Sequence, residues 1–117
     1  MENPFLVFIG ESLARFTLYV ECAKFGLPCN PYWLDFEGRQ YRSMTEIPGE
    51  HGYLVTNLGF GSSVRILLRA EDLTECAWPD ASSTEPRAML RTAIRAEVQA
   101  AAVRQAKARE GRRRRLA

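Results

Sequence analysis

Ten basic side chains fall within residues 86–117, nine arginines and one lysine: Arg87, Arg91, Arg95, Arg104, Lys107, Arg109, Arg112, Arg113, Arg114 and Arg115. A guanidinium stays charged at any physiological pH and presents a planar fork of donors to phosphate oxygens, so an arginine-dense segment suits a polyanion better than a lysine-dense one. On a helix, Arg87, Arg91, Arg95 and Arg109 share one sector of roughly 80°. Only Glu97 and Glu110 oppose the ten, a net of +8, whereas residues 1–85 hold six basic and twelve acidic residues, a net of −6. The overall charge of +2 therefore conceals a dipolar chain. Segregation of this kind points to a polyanionic partner, to an acidic protein surface, or to pairing of the basic tail with the acidic body of its own chain. The ten cations are accordingly the expected nucleic-acid contacts, reaching phosphates without reading sequence in DNA or RNA.

Other residue groups carry weaker chemistry. The loop Gly59-Phe60-Gly61-Ser62-Ser63 has the glycines of a phosphate cradle but continues into a strand, where a P-loop or dinucleotide loop needs a helix. It reads as a hairpin turn, with Phe60 at its tip as an apolar protein-binding contact. Cys22, Cys29, Cys76 and His51 are the right ligand types for zinc, but six residues separate the nearest pair instead of the two to four usual in such sites, so no metal is expected. His51 has no serine or cysteine neighbour at a nucleophile spacing, and Asp35 and Glu37 flank a turn where acids favour solubility. No catalytic residue, cofactor or enzymatic activity is expected. Tyr32, Trp33, Phe36, Tyr41 and Tyr53, with Arg39 and Arg42, offer a base-stacking set, though core packing accounts for most of the rings.

The elements that must position these residues follow from periodicity and breakers. Asn3-Pro4 suits a helix start, while residues 5–9 read equally as a buried strand. From Ser12 to Lys24 a helix is expected, with Leu13, Phe16, Val20 and Ala23 on its apolar face, widened by Leu18, Tyr19 and Cys22, and with Gly26 and Pro28 ending it. Strands follow at residues 32–36, 39–44, 53–58 and 63–69, the last alternating Val64, Ile66 and Leu68 with Arg65, Leu67 and Arg69. After an acidic stretch at Glu71-Asp72, residues 79–83 read as linker and Ser82-Ser83-Thr84-Glu85 as a capping box. A second helix runs from Arg87 to about Glu110, with Leu90, Ile94, Val98 and Ala101 as a stripe for the sheet or for a partner. Residues 111–117 are expected to be disordered.

The expected architecture is α+β: an N-terminal helix on a four-stranded antiparallel meander, then a long basic C-terminal helix with a flexible tail. Residues 1–80 form the expected compact domain and 81–117 the linker, helix and tail. The expected function is that of a small nucleic-acid-associated accessory protein. Its alternative is a protein-interaction module, a regulator or inhibitor of a partner of the kind a mobile element encodes, acting through Phe60, Leu90, Ile94 and Val98. Three unpaired cysteines, no secretory pattern and no apolar run near the roughly 20 residues of a bilayer span suit a reduced cytoplasmic protein without a membrane partner. Nothing in the pattern specifies an oligomeric state.

Overall fold

In the computed structural model of the chain, residues 3–59, 61–77 and 85–116 are described, the Leu116 side chain excepted. Asn3 Oδ1 accepts the Phe5 amide at 2.9 Å and Pro4 opens the first turn. Cap and proline together draw residues 5–9 into helix α1, Pro4–Lys24, instead of a strand. The chain continues through β1 (Tyr32–Leu34), β2 (Gln40–Tyr41), a 3₁₀ turn (Met44–Glu46), β3 (His51–Gly59), β4 (Ser62–Arg69), α2 (Ala70–Ala77) and α3 (Glu85–Leu116). The expected α+β class, with its antiparallel meander and long C-terminal helix, is what the chain adopts.

The strands lie in the order β2-β1-β3-β4, all pairs antiparallel. Trp33 stands opposite both Tyr41 and Leu54, and Leu54 opposite Ile66, which defines the face that meets the helices. The other face carries Tyr32, Tyr53, Arg65 and Leu67. β4 alternates as its sequence requires: Val64, Ile66 and Leu68 are buried, Arg65, Leu67 and Arg69 exposed. β2 is shorter than expected because residues 43–46 leave the ladder. Ser43 Oγ accepts the Thr45 amide, and Glu11 Oε2 accepts the Met44 amide at 2.7 Å.

Helix α1 buries Leu18 and Cys22 of the expected face but leaves Phe16, Tyr19, Val20 and Ala23 exposed and Leu13 half-buried, so the inward side is turned away from the expected stripe. Val7 and Ala14 are buried as well. The reason is a close helix crossing: a Cβ on Gly10 would lie 2.0 Å from the Leu73 carbonyl oxygen on α2. Only a face of small residues admits that approach, so the side bearing Gly10 and Ala14 turns inward. Helix α2 itself was not expected. Its short sequence hides behind Glu71-Asp72, yet Leu73, Cys76 and Ala77 on it are buried.

Helix α3 spans 32 residues, about 48 Å at 1.5 Å per residue. Its stripe Leu90, Ile94, Val98 and Ala101 belongs to the same buried cluster as Leu18, Trp33, Leu54 and Leu73. Residues 85–101 therefore complete the core of residues 3–77, and a boundary at residue 80 does not separate two cores. The Cα radius of gyration, 15.6 Å, exceeds the roughly 13 Å typical of a chain this long, as one projecting helix would produce. Residues 111–116 continue that helix where disorder was expected. Arginine is a good helix former, and Arg114 bonds Glu110 one turn back at 2.7 Å. The proposed linker, most of the capping box and Phe60 lie outside the described residues.

Candidate nucleic-acid interface

The ten cations divide according to how far along α3 they sit. Toward the N-terminal end, the helix lies against α1 and α2, and its arginines serve the fold. Arg87 Nε donates to the Cys76 carbonyl at the end of α2 at 2.8 Å. Arg95 Nε donates to Glu21 Oε1 at 2.6 Å. Arg91 lies between them on the same flank and makes no hydrogen bond or ion pair among the described residues. Farther along, Arg104 donates to the Ser63 carbonyl at 3.2 Å, and the buried Gln105 amide to the Leu58 carbonyl at 2.9 Å. These two bonds fasten α3 to the end of the β3–β4 hairpin.

Among the described residues, Gln105 is the last buried one of α3. Beyond it the helix continues for eleven residues, 106–116, about 16 Å. This arm holds Lys107, Arg109, Arg112, Arg113, Arg114 and Arg115 against Glu110, a net of +5. Lys107, Arg109, Arg113 and Arg115 have no ion pair among the described residues. The consecutive arginines 112–115 step about 100° apart, so they surround the helix on all sides instead of forming a stripe. Cations also suit this end of a helix, where unpaired carbonyls leave partial negative charge. Among the described residues, Arg95–Glu21 is the ion pair that joins α3 to the acidic body.

The apolar stripe assigned to protein binding is not available for it. Leu90 is 7% exposed, and Ile94 and Val98 are fully buried, because the stripe fills the chain's own core. The proposed base-stacking set is split by strand alternation. Trp33 and Tyr41 face the core, whereas Phe36 and Tyr53 meet edge-on at 5.6 Å and Arg65 stacks 5.1 Å above Tyr53 on the open face. Arg39 pairs with Glu37 at 3.6 Å and Arg42 is exposed.

Asp35 is committed to its turn, where Oδ1 accepts the amides of Glu37 and Arg39. His51 stacks at 5.9 Å on Phe36 and partners none of the thiols. Burial, reinforced by Cys29 beside it, pushes the Cys22 thiol up to about 12. Burial likewise pushes Cys76 up to about 11, with Asp72 and Glu75 adding to it. Neither is a ready thiolate. Among the described residues no group of three His, Cys, Asp or Glu side chains converges as a metal site, and no helix is long and apolar enough to cross a membrane.

Two buried acids escaped the sequence reading. Glu11 is fully buried and accepts the Ser43 hydroxyl at 3.0 Å and the Met44 amide, holding the 3₁₀ turn on α1. Glu21 is 1% exposed and is held by Lys24 and Arg95, which keep its carboxyl below the usual range. Their spacing along α1, ten residues, places both near the inward side, a signal that stays mute until the inward side is known. Compared with protein-family models, curated proteins and solved structures, the chain matches none.

Proposed function

We propose that this chain is a small non-enzymatic, nucleic-acid-associated accessory protein that contacts phosphates of DNA or RNA through the arginine arm at the end of α3. One observation carries the reading. The arm extends past Gln105, the last buried residue among the described part of α3, and its Lys107, Arg109, Arg113 and Arg115 make no ion pair among the described residues. Lys107, Arg109 and Arg112 to Arg115 are the contacts; Arg87, Arg95 and Arg104 hold the fold, and Arg91 stands apart in a groove. Arginines on every side of the arm tip favour binding without base readout, since phosphates are met in any rotational setting. The same reading places the protein in the cytoplasm, with reduced thiols and no cofactor.

The test is the salt dependence of binding to duplex DNA. Log affinity should fall linearly with log salt, and deleting residues 112–115 should reduce the slope by up to about 3.6, at 0.9 counterion per phosphate contact. Absence of salt-sensitive binding to DNA and RNA at low ionic strength would overturn the proposal and leave an acidic protein surface as the arm's partner.

A further inference from the structure

The bulkiest apolar face of α1 is one that the rest of the fold leaves uncovered. Phe5, Phe8, Phe16 and Tyr19 are 67, 52, 68 and 59% exposed. At 100° per residue they fall in a sector of roughly 80°, along about 21 Å of helix. Single exposed apolar side chains are ordinary, but four aromatics in one stripe form a contact surface. The inward face carries no aromatic ring: Val7, Gly10, Ala14, Leu18 and Cys22 share it with two glutamates.

Beside the stripe, α1 and α3 enclose a groove of about 450 Å³. Leu13, Phe16 and Val20 form its apolar wall, and Arg87, Arg91 and Arg95 form the cationic one. Lys24 and Glu21 also line it, and Glu21 is already bonded to Arg95 and Lys24. Four cations thus stand against one satisfied carboxylate, and Arg91 is unpaired among the described residues.

We infer that the groove and the adjoining stripe bind an amphipathic helix of a partner protein, one with an apolar edge and an acidic flank. Helix-in-groove docking uses apolar anchors at i, i+3, i+4 and i+7, and about four turns of a helix match the length of the stripe. A small amphiphilic anion would fill the groove and leave Phe5 and Phe8 in water. A second copy of this chain would bring the same patch toward itself, setting one arginine wall against another. An acidic flank instead supplies the charge that Arg91 lacks, and charge complementarity of this kind selects the partner and steers encounter.

The probe is a labelled 20-residue designed helix with leucines along one edge and glutamates on its flanks, titrated against the full chain by fluorescence anisotropy. A counterpart with lysine in place of each glutamate is the control. The glutamate helix should bind, Arg91→Glu and Phe16→Ser should each weaken it at least tenfold, and the lysine helix should not bind. Both positions are exposed, so circular dichroism of the variants should match the parent; Tyr19→Ser serves as a second stripe variant. No binding of the glutamate helix, or equal binding of the lysine helix, overturns the inference. So does a dimer dissolved by Phe16→Ser, which assigns the stripe to a second copy. Binding to phosphatidylserine-containing vesicles that Phe16→Ser abolishes assigns the stripe to a bilayer and overturns it too. Deleting residues 112–115 should leave peptide binding unchanged, which separates this site from the nucleic-acid arm.

Discussion

Glu21 on α1 and Arg95 on α3 meet at 2.6 Å across 74 residues of chain, and their bond ties the basic helix to the acidic body. The carboxylate is buried, while the Arg95 and Lys24 side chains remain about half exposed. Charge therefore stays hydrated on the cationic side and is compensated on the buried side, the arrangement in which such a pair stabilises instead of costing desolvation twice.

Lys24 first, and then Arg95, hold the Glu21 carboxyl below its usual range. A depressed folded value means that the unfolded chain takes up a proton first as pH falls. The stabilisation is therefore present above about 4.3, the ordinary glutamate value, shrinks below it, and is lost once pH passes the lower folded value. Arg95→Ala should lower stability by about 1–2 kcal/mol at neutral pH in urea unfolding. The deficit should narrow as pH falls below about 4. An unchanged midpoint at neutral pH would show that the pair contributes nothing net.

Because Ile94 and Val98 are fully buried within the common core, α3 should be indispensable to folding. Truncation after residue 79 should abolish the cooperative transition. Ile94→Ala should cost about 2–5 kcal/mol by denaturant titration, a large share of the roughly 5–15 kcal/mol available to a domain. A truncated chain with a sharp melting transition would refute the shared core.

The thiols should react in order of burial. Cys29 is half-buried, whereas Cys22 and Cys76 are buried with ionisation pushed up to about 12 and 11. At pH 8, a disulfide reagent such as DTNB should modify at most Cys29 quickly in the native protein and all three thiols after denaturation. Rapid native modification of Cys22 or Cys76 would contradict this burial.

Features that rest on local chemistry were legible in the order of residues alone. Asn3 and Pro4 could start a helix, Val64, Ile66 and Leu68 had to share one face of a strand, and the arginines had to gather at one end of the charge distribution. Each of these follows from capping, a period of two, or residue count, and none needs a distant neighbour. Tertiary structure decided which face of α1 is buried, because the choice rests on Gly10 meeting the Leu73 carbonyl on a helix, α2, whose own sequence signal is slight. It also decided the partition of the basic residues. Arg87, Arg95 and Arg104 become fasteners because the Leu90, Ile94 and Val98 stripe finds its apolar partner within the chain. The cations beyond Gln105 stay on the arm because the body ends there, and only long-range packing sets where a body ends.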